Sequence, residues 1–471
     1  MNKKCQVFTP SDYVKELLDN VGYVENLYGK KIMENSCGDG NILAAVVQRY
    51  IDDCRNKGLS RTKIKNGLAR DIYGVEIDPE QYKKCIERLN QILEINQIQR
   101  VHWNIVNKDY LKLKDNIKYR YVVGNPPYIT YRDMNKPDQE FLKKRFVSCK
   151  KGKFDYCYAF IEKSIQSLDA YGKMAYLIPS SIFKTVFGLN LRDIMKQYIV
   201  KILDYTQETL FDGALVKSSI MILDANKQDD ILHYTDVTLQ KTLELPIQLM
   251  KKKWFFTENM VYGNRRFGDY FKVSNVVATL LNDAYVLKQD CYEELDNFYC
   301  CNNRYIEKSI VRDTAAPRTL RCGKKEKIIF PYYFEGGQLR RYEADEFEQR
   351  FPGAKEYLND YRERLNKRKS DESSKWFEYG RSQAIAGLNT DKLLISTVIT
   401  SEVAVYRLSS ECIPYAGMYI VKKENNQEIT LDEARRILSS RNFMQYVFDV
   451  GIHISGSSLR ITSKDIEDYR F

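Results

Sequence analysis

Short apolar segments of strand length alternate with helix-period segments through the first half of the chain, and this alternation constrains the fold more than any other feature. Strands joined through helices pair as a mostly parallel sheet with helices on both faces. The predicted strands are Lys31–Met33, Ile72–Ile77, Val101–Val106, Tyr119–Val123, Met174–Ile178, Ile199–Asp204 and Ser218–Leu223. The predicted helices between the early strands are Ile42–Ile51 and Glu80–Leu93. Ahead of them, Thr9, Pro10 and Asp12 have the form of an N-cap, N1 and N3 of a further helix.

The second half of the chain has a different pattern. The alternation gives way near the polar stretch Asp224–Asp230, which predicts the approach to a domain boundary. Beyond it, the local signals are a hairpin of Ile328–Phe334 with Leu339–Tyr342 around Gly336 and Gly337, and a charged helix over Lys355–Lys369. We therefore expect an α/β domain over residues 1–235 and a less regular α+β domain over residues 250–471.

Composition narrows the class of protein. No run of about 18 apolar residues and no apolar N-terminal segment occurs, so we expect a cytoplasmic protein without membrane association. The 11 cysteines are scattered without a CxxC pair and the 3 histidines lie far apart, which argues against a structural zinc or any other metal site. The net charge of +11 fits a polyanionic partner.

One loop carries the strongest chemical signal. Asn125, Pro126, Pro127 and Tyr128 follow the apolar run Tyr121–Gly124, at the carboxyl end of a strand, where open α/β sheets bind ligands. The prolines stiffen the loop, so the Asn125 side-chain oxygen and the Pro126 carbonyl can converge on one –NH2 group while Tyr128 stacks on its ring. This arrangement suits methylation of a planar exocyclic amine. A plain Asn-Pro turn explains the four residues alone about equally well.

The loop after the first predicted strand suggests a ligand site. Gly38 and Gly40 would let the backbone approach a ligand closely. Glu34 and Asp39 would repel a pyrophosphate and suit a ligand with an ammonium or a sulfonium group. A strand-to-helix turn is the simpler reading of this loop taken alone.

Two later loops extend the same site. Glu76 ends the second strand, where a carboxylate can accept hydrogen bonds from ribose hydroxyls. After the third strand, Asp109 can accept from an adenine amino group and Tyr110 can flank the ring. Glu76 alone fits a solvated acid at a helix start, but the loops in this order predict partners for ribose, adenine, a cationic sulfur and a target amine.

In this order and spacing, the motifs resemble the N6-adenine DNA methyltransferases of bacterial restriction–modification systems, specifically the TaqI-like and Eco57I-like gamma class. The matching segments are Gln6–Pro10, Asn35–Asn41, Gly74–Pro79, Asp109-Tyr110, Asn125–Tyr128, Tyr158–Lys163 and Gly172–Pro179. Two positions depart from the family pattern: Cys5 stands where a glycine is usual, and Asn35 where a proline is common.

The resemblance implies S-adenosylmethionine as cofactor and a Rossmann-like methyltransferase domain, mostly parallel with a final antiparallel strand, joined to an α+β target-recognition domain. It implies that Asn125, Pro126 and Tyr128 are catalytic and that Tyr128 and Phe211 stack on a flipped-out adenine, although Phe211 fits a core position equally well. The cofactor-binding residues that it implies are Phe8, Thr9, Pro10, Glu34, Ser36, Cys37, Gly38, Asp39, Gly40, Glu76, Ile77, Asp109, Tyr110, Asn125, Pro127 and Phe160.

DNA recognition is expected mainly from basic and aromatic clusters of the second half. The candidate DNA-binding residues are Lys253, Arg265, Arg266, Arg321, Lys324 and Arg381. For any single cluster, a solvated protein face is the simpler reading. The expected partners are double-stranded DNA and a separate restriction endonuclease, because the two halves leave no residues for a fused one. We expect the chain to act as a monomer, associated with the bacterial nucleoid.

Three other classes of protein share parts of this pattern. Glutamine N5-methyltransferases that act on release factors also use Asn-Pro-Pro-Tyr, but a large second domain argues against them. An RNA adenine methyltransferase is harder to separate, and cytosine N4 remains open as the target atom. A non-enzymatic DNA-binding module would leave the ordered cofactor loops unexplained.

Overall fold

The protein has two compact units. The computed structural model describes residues 9–114, 116–205, 217–257, 263–381, 384–454 and 457–471. Contacts between Cα atoms divide the chain into Met1–Glu258 and Asn259–Phe471, called here the first and second units. Among the described residues, no helix is both long enough and apolar enough to cross a lipid bilayer.

The first unit is built on one large sheet. Its strands are β1 (Ile32–Glu34), β2 (Ile72–Glu76), β3 (Asn104–Asn107), β4 (Tyr119–Gly124), β5 (Leu168–Pro179), β6 (Ile199–Asp204), β7 (Ser218–Asp224), β8 (Ile231–Asp236) and β9 (Lys241–Pro246). Its helices are α1 (Ser11–Asn20), α2 (Asn41–Asn56), α3 (Arg61–Asp71), α4 (Pro79–Ile95), α5 (Lys136–Arg145), α6 (Cys157–Ser167) and α7 (Leu189–Met195). The strand order is β3-β2-β1-β4-β5-β7-β6-β8-β9.

The pairing of these strands confirms the predicted α/β class. Strands β3, β2, β1, β4 and β5 are mutually parallel, and β7 lies antiparallel between β5 and β6. Helix α2 shows why the layers form: Ile42, Val46 and Tyr50 recur at helical spacing and are fully or almost fully buried in the core of the unit. Because β1 to β4 are parallel neighbours, their carboxyl ends share one edge of the sheet.

Two local predictions were wrong. The third strand begins at Asn104 rather than Val101: among the described residues it pairs with β2 alone, and that pairing starts at Tyr73↔Asn104. The N-cap of α1 is Pro10 rather than Thr9, and the helix begins at Ser11. Thr9 is used elsewhere, since its hydroxyl accepts a hydrogen bond from Asn125 Nδ2.

The sheet continues beyond the polar stretch at residues 224–230. Strands β8 and β9 were not predicted, and they add a parallel and then an antiparallel partner beyond β6. In β9 only Leu243 and Leu245 are buried, as expected for an amphipathic strand at the edge of a sheet. The polar stretch is therefore a turn within the first unit.

The second unit consists of small sheets and short helices. Its strands are β10 (Phe271–Asn275), β11 (Val286–Leu287), β12 (Tyr292–Glu294), β13 (Phe298–Cys301), β14 (Arg304–Glu307), β15 (Val311–Ala315), β16 (Glu326–Ile329), β17 (Tyr332–Glu335), β18 (Gln338–Arg341), β19 (Lys392–Ile395), β20 (Val398–Ile399), β21 (Val405–Leu408), β22 (Ile413–Pro414), β23 (Met418–Lys422), β24 (Ile452–His453) and β25 (Leu459–Arg460). Its helices are α8 (Phe267–Tyr270), α9 (Asn282–Tyr285), α10 (Pro317–Arg321), α11 (Ala344–Arg350), α12 (Pro352–Asn359), α13 (Arg362–Asn366), α14 (Leu431–Leu438), α15 (Arg441–Val450) and α16 (Ser463–Asp468). This irregular mixture confirms the predicted α+β class.

Of the two elements predicted in this unit, the hairpin is present and the single helix is not. The predicted hairpin is present: β17 pairs with β18, and Gly336 and Gly337 both have positive φ, as a tight two-residue turn requires. The predicted single helix over Lys355–Lys369 is instead two helices, α12 and α13. The chain leaves α12 at Asp360, whose carboxylate accepts two hydrogen bonds of 3.0 Å from the Arg304 guanidinium.

Candidate active site

The polar side chains predicted to act together lie at one edge of the first unit's sheet. Glu34 and Glu76 are the last residues of β1 and β2, Asp109 follows β3, and Asn125 follows β4. These four strands are parallel neighbours, so their carboxyl ends bring the four residues to the same edge. The topology of the first unit therefore assembles the predicted loops at one edge of its sheet.

The loop after β4 is tied to two other segments of this edge. Asn125 Nδ2 donates to Thr9 Oγ1 at 3.3 Å, and the Asn125 carbonyl accepts from Ser36 Oγ at 3.2 Å. Thr9 is held in turn, because its carbonyl accepts a hydrogen bond from Asn41 Nδ2. These contacts fix both the backbone and the amide plane of Asn125.

The other residues of the loop differ in exposure. Pro126 is buried, whereas Pro127 and the Tyr128 ring are partly exposed. The Tyr128 hydroxyl is buried close to Ser218, and this burial raises its pKa well above the usual value. Tyr128 therefore buries its hydroxyl end, while the residue as a whole stays partly exposed.

Glu34 is a buried carboxyl group with an unused acceptor. It is 2 % exposed, and burial raises its pKa well above the usual range. A backbone hydrogen bond from Leu43 favours the charged form and only partly offsets this shift. Within the described residues, the Oε2 atom has no hydrogen-bond partner. A cationic ligand group at this position would satisfy the orphaned oxygen and stabilise the carboxylate.

Glu76 joins the first loop to the second. Its Oε2 atom accepts from the Gly38 backbone N–H and its Oε1 atom accepts from that of Asp78, both at 2.8 Å. Gly38 has a φ of 51°, in the left-handed region that glycine adopts readily. The two bonds orient the carboxylate, and each oxygen keeps a further lone pair for a ligand hydroxyl. Ile77, the next residue, is 42 % exposed.

Asp39, predicted to face a ligand cation, is instead paired within the protein. Its carboxylate accepts from Arg88 Nη2 at 2.5 Å, and Arg88 Nη1 donates to Asn41 Oδ1 at 3.2 Å. This pair links the first loop to α4. Among the described residues, Asp39 Oδ1 and Glu34 Oε2 both lack a hydrogen-bond partner, but only Asp39 has its charge balanced by an arginine.

The first loop also packs closely against α4 at its glycine. Gly40 has a φ of 85°, and a Cβ atom there would lie 2.7 Å from Cys85 Sγ. Cys37 is buried beside the same cysteine, and hydrogen bonding to Cys85 together with burial raises the pKa of the Cys37 thiol well above its usual value. Cys37 and Gly40 therefore shape the loop through packing.

Tyr110, in the loop after β3, and Phe160, in α6, form an aromatic wall. The Tyr110 and Phe160 rings are 5.2 Å apart, and both are almost fully buried. Asp109 accepts from the Leu111 N–H at 3.0 Å and pairs with Lys112 Nζ at 3.1 Å. The Tyr110 hydroxyl lies 3.1 Å from Ser164 Oγ.

A buried polar network behind the site was missed in the sequence. Asn35 Nδ2 donates to Ser164 Oγ at 2.8 Å and to the Tyr176 hydroxyl, and Ser164 and Tyr176 are 2.7 Å apart. A Cβ atom on Gly124 would lie 3.5 Å from Asn35 Oδ1, so the network reaches the start of the Asn125 loop. The signal in the sequence was the polar Asn35 at a position where the resemblance favours proline.

The remaining predicted residues are two phenylalanines and the six candidate DNA-binding cations. Phe8 and Phe211 lie outside the described residues. Lys253 precedes the fully buried Trp254, and Arg381 is exposed and forms an isolated bridge with Ala278. The other four form ion pairs on the second unit: Arg265 with Glu428, Arg266 with Asp269 and Asp468, Arg321 with Glu402, and Lys324 with Asp290.

Comparisons with known proteins bear on the first unit above all. Residues 68–211 match the model of the Eco57I restriction-modification methylase family. The type II restriction enzyme and methyltransferase RM.Eco57I of Escherichia coli is 23 % identical over 537 residues, which cover 92 % of this chain and 53 % of that protein. The type II methyltransferase M.BstVI of Geobacillus stearothermophilus is 26 % identical over 256 residues, which cover 50 % and 46 %. The chain thus spans about half the length of these relatives.

A solved structure supports the fold over a longer range. The type IIL restriction-modification enzyme MmeI, determined in complex with DNA, superposes with a TM-score of 0.61 at 13 % identity, covering 97 % of this chain and 65 % of that one. At this identity the likeness concerns the fold alone. The resemblance predicted from the motifs is confirmed, because residues 68–211 match the Eco57I restriction-modification methylase family and the relatives found are type II restriction-modification methyltransferases.

Proposed function

We propose that this protein is a site-specific DNA methyltransferase that transfers a methyl group from S-adenosylmethionine to N6 of an adenine flipped out of a duplex. The observation that carries the proposal is the Asn125 loop, fixed by Thr9 and Ser36 at the sheet edge where Glu34 and Glu76 also end their strands. The match to restriction-modification methylases supports the reaction class.

The residues at this edge fit S-adenosylmethionine, which supplies a methyl group on a cationic sulfur. Glu34 Oε2, buried without a partner among the described residues, suits the ammonium group of a cofactor. Glu76, oriented by two backbone N–H groups, suits the ribose hydroxyls. Tyr110 and Phe160 would flank the adenine ring, with Asp109 near its amino group.

The Asn125 loop would bind and orient the target amine. An exocyclic amine is a weak nucleophile because its lone pair is delocalised into the ring. Hydrogen bonds donated by its two N–H groups to Asn125 Oδ1 and the Pro126 carbonyl would localise that pair and stabilise the positive charge that develops on nitrogen. The accessible part of the Tyr128 ring would stack on the flipped base. Stacking worth about 1–3 kcal/mol offsets part of the few kcal/mol that unstacking costs.

The assignment of roles to the two halves is part of the proposal. We assign catalysis to residues 1–235 and target recognition to residues 250–471, acting on double-stranded DNA as a monomer in the bacterial cytoplasm. A separate restriction endonuclease is the proposed partner. RM.Eco57I is named as both a restriction enzyme and a methyltransferase, which supports a place in a restriction–modification system.

The test combines cofactor binding with methylation mapping. Isothermal titration of the purified protein with S-adenosylmethionine should give saturable binding. Single-molecule sequencing of DNA from cells that express the protein should reveal N6-methyladenine in one sequence motif. Modification of cytosine N4 would replace the proposed target atom. An unmodified genome together with methylated RNA or protein would contradict the proposal.

A further inference from the structure

An exposed surface of the first unit combines unpaired cations with apolar side chains. Six basic residues are exposed within one short stretch, and we call them the basic patch: Lys143, Lys144, Arg145, Lys150, Lys151 and Lys153. In the part of the chain that the structure describes, none of them is in an ion pair, and the one hydrogen bond of this group joins Lys143 to the Tyr131 hydroxyl at 2.8 Å. A cluster of unneutralised cations attracts polyanions.

Three exposed apolar side chains belong to the same surface. Val147 is 46 % exposed, Val186 is 60 % exposed and Phe187 is 43 % exposed. The Phe187 ring lies directly on Gly152, because a Cβ atom built there would be 2.0 Å from Phe187 Cδ1. The Val147 carbonyl accepts from Asn190 Nδ2 at 3.1 Å, which joins the two segments again. Cations and apolar groups therefore form one continuous surface.

Buried groups hold this surface in place and connect it to the candidate catalytic loop. The buried Glu162 carboxylate accepts hydrogen bonds from the backbone N–H groups of Val147 at 3.0 Å and Ser148 at 2.7 Å. Phe154 packs edge-on against Tyr131 with ring centroids 5.2 Å apart. Tyr131 lies three residues after Tyr128 and contacts both Lys143 and Phe154, so it links the basic patch to the segment that follows the Asn125 loop.

The patch contrasts with four of the five cations predicted to bind DNA in the second unit. Arg265, Arg266, Arg321 and Lys324 are all in ion pairs, and a partner carboxylate cancels much of the field that a phosphate would feel. The cations of the patch carry no such neutralisation.

We infer that the basic patch together with Val147, Val186 and Phe187 is a DNA-binding surface of the catalytic unit. Its cations would contact phosphates beside the target adenine, and its apolar group would contact sugars and base edges. Charge complementarity selects a nucleic acid, and the inference rests on the proposed function, which selects duplex DNA. Phosphate contacts made on this unit would position the duplex relative to the Asn125 loop.

Replacement of three lysines tests the electrostatic half of the inference. The variant Lys150→Gln/Lys151→Gln/Lys153→Gln should bind a duplex of about 30 base pairs more weakly than the wild type, with a salt dependence that is less steep by about 1 for each phosphate that the variant no longer neutralises. Binding is measured by fluorescence anisotropy between low and moderate salt. The control Lys63→Gln/Lys83→Gln/Lys84→Gln removes the same charge from exposed positions of the same unit and should keep the wild-type slope.

Replacement of Phe187 tests the apolar half. Phe187→Ala should lower the affinity roughly tenfold with no change in the salt slope, since an apolar contact releases no counterion. Gly152→Ala should act in the same direction, because its methyl group would displace the Phe187 ring. Ile95→Ala, at an isolated side chain that is 80 % exposed, is the control.

The outcomes separate this inference from the proposed function. Affinity for S-adenosylmethionine should be unchanged in every variant, which verifies folding. A wild-type salt slope in the triple-lysine variant would overturn the inference and leave the proposed function intact. A wild-type protein that binds cofactor but no duplex would overturn both. Tighter binding of a double-stranded RNA of the same sequence would overturn the assignment to DNA.

Discussion

At the scale of single residues, Asn125 separates cofactor binding from catalysis. Asn125→Ala removes an acceptor from the target amine but leaves Glu34, Glu76 and the Tyr110–Phe160 wall in place. We expect methylation to fall about 10²- to 10³-fold, as when one electrostatic interaction with a transition state is removed, while S-adenosylmethionine affinity changes little. Transfer of tritiated methyl groups to DNA, with titration calorimetry of the same preparations, measures both. Wild-type turnover would remove Asn125 from the mechanism.

Burial of the Asp155 carboxyl group disfavours its charged form, so the free energy of unfolding should depend on pH. Burial raises its pKa to about 6, so between about pH 4 and pH 6 the unfolded chain ionises while the folded protein keeps the proton. Stability is therefore lost as pH rises through this window. Asp155→Asn should be more stable than the wild type at pH 7, by at most about 3 kcal/mol, and the difference should vanish below about pH 4.

Urea unfolding at several pH values measures this difference. Asp12→Asn, at an exposed carboxylate of α1, controls for the change in net charge. An advantage of Asp155→Asn that is the same at pH 4 and pH 7 would contradict the burial argument.

The residues of the candidate site differ in how well their positions and contacts could be predicted from the sequence. The strand-end positions of Glu34, Glu76 and Asn125 follow from the βα pattern, which fixes where each strand ends. The pairing of Asp39 with Arg88 could not be predicted, because the two residues lie on separate elements and meet only after α4 packs. Thr9 was predicted to be an N-cap from its local sequence, but its hydroxyl instead accepts a hydrogen bond from Asn125, a contact that is distant in sequence.

At the scale of elements, the contact between the first loop and α4 depends on Gly40. Gly40→Ala places a methyl group 2.7 Å from Cys85 Sγ and 3.1 Å from Cys85 Cα, at a φ of 85°. We expect about 1 kcal/mol of backbone strain and a further 1–3 kcal/mol or so from overpacking, with weaker cofactor binding because the loop must shift.

Gly58→Ala is the matched control for this prediction. Gly58 has a φ of 69°, but no atom lies within 4 Å of an added Cβ, so the substitution imposes strain without a clash. Urea unfolding and S-adenosylmethionine titration compare the two variants. Equal losses of stability would show that contact with Cys85 contributes nothing.

Strands with strong apolar runs and helices with a clear period were predicted well, whereas amphipathic edge strands were not. Strand β6 was placed correctly because most of its residues are apolar. Strands β8 and β9 were missed because they alternate apolar with polar residues at the far end of the sheet, where one face is exposed. In the second unit, strands of two to five residues are too short for periodicity to register.

At the scale of the whole molecule, net charge was an incomplete guide to the DNA surface. The excess of +11 says nothing about which cations are neutralised by neighbouring carboxylates. Ion pairing on the folded surface decides which cations are neutralised. Arg265 and Arg321 are paired with carboxylates, whereas Lys150 and Lys151 are in no ion pair among the described residues. The sequence contained both sets, but only folded geometry distinguishes them.

The proposed roles of the two halves predict a specific pattern of amide protection. S-adenosylmethionine should slow hydrogen exchange in residues 36–41, 76–78, 109–111 and 125–128, because the cofactor would contact these loops directly. It should leave residues 263–381 close to their unliganded rates. Addition of duplex DNA should then slow exchange at residues 143–153 and 186–190, where the basic patch lies. Hydrogen exchange followed by mass spectrometry measures all these segments in one experiment. Cofactor protection confined to the second unit would contradict the assignment of the catalytic site, whereas DNA protection confined to that unit would contradict only the patch.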